Sequence, residues 1–334
     1  MRKLLIMAGL IFSSCSEANV PDPIANPPVP TPEPDPVGEV RYYGQLEVND
    51  GKLTDAEGGA VMLRGVSFGW HNWWPRFYNA PAVSWLKDDW NANLVRAAMG
   101  VDPAGAYLEN PEFAISKIKA VVDAAIAEDM YVIIDWHSHD LYPEEAKAFF
   151  IEMAQTYGEH PHVIYELFNE PDYETWEEVK AYSEDIISEI RKYDPDNLIL
   201  VGSPTWSQDI HLVAENPILG EENIMYVLHF YAATHKDYLR ERAEKAYQAG
   251  LPLFVTECAG MESSGDGPID QVSWNAWLDW MELRKISWAA WSIADKDETC
   301  SMLLPDASSE GDWGDPHIKP WGAMVKNALN NNLE

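Results

Sequence analysis

The sequence predicts an α/β protein folded as a single (β/α)8 TIM barrel with a small N-terminal β-hairpin. Eight short, nearly continuous apolar runs recur along the chain, and stretches of helical periodicity separate them. Polar residues collect at the ends of those runs, where a barrel places its chemistry.

The chain opens on a segment expected to lie outside the fold. MRKLLIMAGLIFSSCS carries Arg2 and Lys3, then an apolar run of signal-peptide length, too short for a typical membrane-spanning helix. It reaches Cys15 in the manner of a bacterial lipoprotein signal cleaved before an acylated cysteine, with Phe12 where such signals carry Leu. Residues 1–15 are therefore expected to be an export signal with lipidation at Cys15, and plain secretion is the alternative. Residues 16–37 include VPDPIANPPVPTPEPDPV, whose frequent prolines predict an extended, semi-rigid tether. The remaining residues, 38–334, suffice for one barrel domain.

YYGQLEV, the turn-like Asn49-Asp50-Gly51 and KLTDAEGG predict the hairpin. The strand candidates follow: VMLRGVSF from Val61, NLVRAAM from Asn93, YVIIDWH from Tyr131, VIYELFNE from Val163, LILVGS from Leu198, IMYVLHFY from Ile224, PLFVTE from Pro252 and ISWAAWS from Ile286. Helical stretches between them include Pro111 to Asp129, Pro143 to Gly158 and Glu174 to Tyr193; the first two open on proline, which is tolerated where no intrahelical N–H is needed. A doubly wound open sheet is the competing arrangement, but no glycine-rich phosphate loop follows the first strand.

A net charge of −32 argues against nucleic acid and anionic lipid as partners, since both need a positive surface. Membrane attachment is expected only through the N-terminal lipid. Fifteen Trp and fifteen Tyr exceed what a core alone requires and leave rings for a binding cleft. Cys258 and Cys300 would sit in an exported domain where a disulfide is permitted; one bridge and two buried thiols are equally open.

Arg96 lies near the end of the second run, His137 ends the third, Asn169 and Glu170 the fourth. His229 and Tyr231 lie on the sixth, Glu257 ends the seventh and Trp291 lies on the eighth. Each has an ordinary structural explanation by itself, such as a glutamate capping the next helix. Two glutamates in the same registry on different strands, among Arg, His, Asn, Tyr and Trp, predict an active site. Paired carboxylates with aromatic walls suit glycoside hydrolysis, which passes through an oxocarbenium-like cation and needs no cofactor.

VIYELFNEP, LHFY, FVTE and WAAWS, with VRAAM and VIIDWH upstream, resemble glycoside hydrolase family 5, and WSIADKDE resembles its subfamily 2 endo-β-1,4-glucanases. The resemblance runs from about Tyr43 to Ala328. It implies that Glu170 is the general acid/base and Glu257 the nucleophile of a retaining mechanism. Asn169 would bond the sugar 2-hydroxyl, Tyr231 would orient the nucleophile, Arg96 would hold it ionised, and His137 and His229 would complete the polar shell. Trp291 would lie under the sugar whose bond breaks, and Lys296 and Glu298 would grip the next one. Trp73 and Trp206 are expected to stack further along the cleft, with His71 and Trp70 also in it. The sequence departs from the usual pattern at Cys258 and Ala259, where many members carry an aromatic residue and glycine.

On this reading Glu170 needs a raised pKa, with Glu257 as the nearby anion, while Arg96 and Tyr231 keep Glu257 charged. A retaining mechanism predicts carboxyl groups about 5 to 5.5 Å apart, and inversion more than roughly 6.5 Å. Rival readings are a metal-dependent amidohydrolase using His137-Ser138-His139 and a non-catalytic carbohydrate-binding barrel. Within the family, mannan, xyloglucan and mixed-linkage glucan are alternative substrates to cellulose. No metal or cofactor is expected, the partner is a β-glucan polysaccharide or oligosaccharide, and a monomer is expected.

Overall fold

The computed structural model describes residues 41–331. The export signal, Cys15 and the proline-rich tether lie outside the described residues. A hairpin, β1 (Leu46–Asn49) and β2 (Lys52–Asp55), turns on Asp50 and Gly51, both with positive φ as a two-residue hairpin turn demands. Eight parallel strands then close a barrel. They are β3 (Arg64–Phe68), β4 (Leu94–Gly100), β5 (Tyr131–His137), β6 (Val163–Glu166), β7 (Ile199–Val201), β8 (Ile224–Tyr231), β9 (Leu253–Ala259) and β10 (Trp288–Ile293), with β10 pairing back onto β3.

Helices cover the outside. Pro111–Ala127 and Pro143–Tyr157 open on proline as predicted. Trp176–Ile190 starts two residues later than predicted because Thr175 caps it: Thr175 Oγ1 accepts from the Glu178 N–H, and the Glu178 side chain accepts from the Thr175 N–H. No helix among the described residues is long and apolar enough to cross a membrane.

Period-two alternation sorts each strand between two cores. In β5, Val132, Ile134 and Trp136 join the layer between barrel and helices, whereas Tyr131 and Ile133 join a separate inner cluster with Leu94, Ile164, Met225, Val227 and Phe254. The hairpin adds Leu46 and Leu53 to that inner cluster, and the Tyr131 hydroxyl donates to the Gly44 carbonyl at 2.7 Å. Further along the same inward rows come Arg96, Asp135, His137, Glu166, His229 and Tyr231. The apolar residues fill the N-terminal half of the barrel, so the polar ones are stacked toward the C-terminal mouth.

Candidate active site

Two local irregularities shape the site. The pairing of β8 with β9 shifts by one residue between Val227↔Phe254 and His229↔Glu257, a bulge in β9. It lets consecutive residues Thr256 and Glu257 both reach inward groups, which a regular strand would send to opposite faces. The fourth run leaves the ladder earlier than predicted. β6 ends at Glu166, and the Asn169 and Glu170 N–H groups are held instead by the carbonyls of Trp136 and Ser138.

Arg96 is the centre of the charge network and is fully buried. Its Nε donates to Glu166 Oε2 at 2.8 Å, and its Nη2 to Glu166 Oε1 at 3.1 Å and Asn169 Oδ1 at 2.7 Å. Asp135 lies 2.9 Å away, and Nη1 reaches Glu257 Oε2 at 3.3 Å. The Tyr231 hydroxyl donates to the other oxygen, Glu257 Oε1, at 2.7 Å. Glu170 meets His229 Nδ1 at 3.0 Å. Asp135 bonds His137 Nδ1 at 2.7 Å, and the His137 ring lies parallel to Trp291 with centroids 5.1 Å apart.

These contacts correct one electrostatic expectation. Arg96 does not serve Glu257 alone; its closest pairing is the two-pronged one with Glu166. Burial and the charge of Glu170 therefore raise the Glu257 carboxyl, with His229, Arg96 and Tyr231 pulling it down only in part. Burial would also raise Glu166, but Arg96 and His229 hold it below the ordinary range. Burial alone would lower His229, yet its contacts with Glu166 and Glu170 and the charge of Glu257 hold it at about 9. Four carboxylates, Asp135, Glu166, Glu170 and Glu257, thus face Arg96 and His229. Full ionisation would leave unbalanced negative charge in a buried site, and the Asp135 and Glu257 carboxyls are accordingly pushed above the ordinary range.

The cleft consists of two depressions that meet at His139, Glu170, Tyr231 and Ser263. One holds Glu257, Trp291, Trp70, Trp73, Lys296 and Glu298; Lys296 and Glu298 form an ion pair there. The other holds Trp206, Thr205, Gln208 and His235. Trp206 sits in a left-handed turn, with Thr205, Trp206 and Ser207 at φ of 59°, 55° and 54°. The Trp206 N–H is tied to the Pro171 carbonyl at 2.8 Å, and its ring is left partly exposed.

The structure thus brings Arg96, His137, Asn169, Glu170, His229, Tyr231, Glu257, Trp291, Lys296, Glu298, Trp73 and Trp206 to one rim. His71 is the exception and corrects the expectation that it lines the cleft. It is fully buried, its Nδ1 accepts from the Gly100 N–H at 3.1 Å, and burial lowers it to about 4. Cys258 and Cys300 are both free and buried, so the two-thiol alternative is the one adopted.

Sequence reasoning missed Glu166, Asp135 and Thr256. The signal was present: in YVIIDWH and VIYE, strict alternation places Asp135 with His137 and Glu166 with Ile164 on the inward face. For metals, single ligand atoms of Glu170, His229 and Glu257 lie within 4.8 Å of one another, a spacing an ion could occupy. Neither histidine of His137-Ser138-His139 belongs to that group, and His137 is taken up by Asp135 and Trp291.

A closed eight-stranded parallel barrel with two glutamates facing each other at its C-terminal mouth, in a cleft walled by tryptophan, defines the class of barrel glycosidases. The profile described as Cellulase (glycosyl hydrolase family 5) matches residues 54–297, and the chain belongs to that family. Endoglucanase N of Pectobacterium atrosepticum is 40% identical over 297 residues, covering 87% of this chain and 66% of that protein. Endoglucanase Z of Dickeya dadantii is 45% identical over 270 residues, 79% of this chain and 63% of that protein. The chain thus spans somewhat under two thirds of the length of these relatives. The catalytic domain of Thermobifida fusca endoglucanase Cel5A, solved in complex with cellotetraose, superimposes with a TM-score of 0.81 at 32% identity, covering 86% of this chain and 97% of that one.

Proposed function

We propose that this protein is an endo-acting, retaining β-1,4-glucanase that hydrolyses cellulose or a related β-glucan by double displacement. The observation that carries the proposal is the pair of carboxylates: an oxygen of Glu170 and one of Glu257 lie within 4.8 Å, close enough for the two groups to flank one glycosidic bond.

In the first step Glu257 attacks the anomeric carbon while Glu170 protonates the departing glycosidic oxygen. In the second, Glu170 takes a proton from water, the water attacks the same carbon, and Glu257 leaves. Two inversions restore the original configuration. Tyr231 orients the attacking carboxylate. Asn169 accepts Arg96 at its oxygen, which leaves its amide hydrogens for the sugar 2-hydroxyl. Trp291 is the platform at the reacting sugar, with Lys296, Glu298 and Trp73 on one side of it and Trp206 on the other. Internal cleavage is supported by a cleft that continues on both sides of Glu170. A cellotetraose complex of a relative supports the glucan assignment. Export fits a polymeric substrate too large to import, and Cys15 is the proposed lipid attachment point.

The test is a product profile on carboxymethylcellulose, barley glucan, mannan and xylan, with the anomeric configuration of the first product followed by NMR. Short β-configured oligomers from carboxymethylcellulose are expected. Glu257→Gln should abolish hydrolysis and leave oligosaccharide binding intact; unchanged turnover in that variant overturns the mechanism.

A further inference from the structure

Thr256 links a buried carboxylate to the imidazole that touches Glu170. Its Oγ1 lies 2.7 Å from Glu166 Oε1 and 2.8 Å from His229 Nε2. Glu166 is fully buried and receives Arg96 on both oxygens, so it is ionised and can only accept. A hydroxyl has one proton to give. Thr256 gives it to Glu166 and must accept from His229, so Nε2 of His229 carries a hydrogen. Nδ1 is then the nitrogen at which His229 gains or loses its proton, and it is the one 3.0 Å from Glu170 Oε1.

We propose that Glu166, acting through Thr256, is a positioning residue that fixes the His229 tautomer, so that Glu170 and His229 Nδ1 hold one exchangeable proton between them. This deepens the assignment of Glu170 as acid/base and rests on it. With one proton, the pair is either a carboxylic acid facing neutral imidazole or a carboxylate facing imidazolium; only the proton moves, along one hydrogen bond. Donation to the leaving oxygen empties the pair, and removal of a proton from water refills it.

The charged and titratable groups facing His229 are Glu166 and Glu170 from β6 and its following loop, Asp135 and His137 from β5, Glu257 from β9, and His235 after β8. The acids hold the last proton of the pair to higher pH, and the hydroxyl relay transmits the nearest of the buried ones. If Nε2 loses its acceptor, the tautomer with hydrogen on Nδ1 becomes accessible and the pair gives up its proton at lower pH.

Thr256→Val removes the hydroxyl and keeps the branched shape, while Thr256→Ser keeps the hydroxyl. With the full chain, kcat/KM on carboxymethylcellulose is followed against pH, and the His229 ring nitrogens by 15N NMR, assigned by the signals lost in His229→Gln. Thr256→Val is expected to move the alkaline limb down by about one pH unit, a roughly tenfold loss of activity above it, and Thr256→Ser to restore it. The NMR should show hydrogen on Nε2 in the unaltered protein and mixed tautomers in Thr256→Val. An alkaline limb unmoved in Thr256→Val, an equal shift in Thr256→Ser, or a bare Nε2 in the unaltered protein overturns the proposal. If no β-glucan is turned over, the assigned activity fails, and the NMR result alone still decides the tautomer.

Discussion

Arg96→Met removes the cation on which the buried carboxylates depend. The Arg96 nitrogens lie 2.8 and 3.1 Å from Glu166, 2.9 Å from Asp135 and 3.3 Å from Glu257. Methionine fills part of the space and supplies no charge or donor. Removing one partner of a buried ion pair destabilises by about 3–5 kcal/mol. At about 2–4 °C per kcal/mol for a large domain, the unfolding midpoint should fall by roughly 6–20 °C at pH 7.

The pH dependence of this loss has a definite sign. Glu166 is depressed by Arg96 against the effect of burial, so its contribution is complete above the unfolded carboxyl pKa and is lost as pH falls through the depressed value. Without Arg96, burial and the neighbouring acids raise the same carboxyl, which takes up a proton on acidification and relieves the variant. The gap between the two proteins is therefore widest at pH 7 and narrows toward pH 4. Thermal unfolding followed by circular dichroism at pH 4, 5.5 and 7 measures it. Equal midpoints at pH 7, or a gap that widens on acidification, would refute the reasoning.

Glu170→Ala should lower kcat/KM on cellulose oligosaccharides by about 10²–10⁴-fold, the range of one general acid/base. The loss should shrink for aryl cellobiosides with acidic phenol leaving groups, which need no proton; an equal loss on both would remove Glu170 from the acid role. Tyr231→Phe deletes the 2.7 Å bond to Glu257 and should reduce kcat/KM by roughly 10–150-fold, equivalent to about 1.5–3 kcal/mol for a hydrogen bond to a charged group. Because that bond favours the charged carboxylate, the acidic limb should also move to higher pH in the same titration. Thiol titration of the unfolded domain should find Cys258 and Cys300 both free without reductant, and dithiothreitol should leave its unfolding midpoint unchanged.

Much of the molecule was legible from local pattern. Proline at Pro111 and Pro143, the Asp50-Gly51 turn and the apolar runs depend on backbone sterics and on burial of one or both strand faces, and these act over a few residues. The convergence of Glu170 and Glu257 was legible for the same reason: strand ends in a closed parallel barrel share one rim. The inward tier containing Asp135 and Glu166 was also written in the alternation of β5 and β6, but the sequence does not announce which row faces the axis.

Only the tertiary structure decided the rest. The bulge in β9 arises from pairing against β8, and it alone brings Thr256 and Glu257 to the same interior. Cys258 and Cys300 stay apart because strand and loop geometry, not thiol chemistry, sets their separation. His71 departs from its surroundings because its sequence neighbours Trp70 and Trp73 reach the cleft while its own ring is fully buried. The sharing of Arg96 among Glu166, Asp135 and Glu257 had no local signature. Sequence determined which groups carry charge, but the balance among them depends on distances and burial across strands remote in the chain, and there the tertiary structure decided.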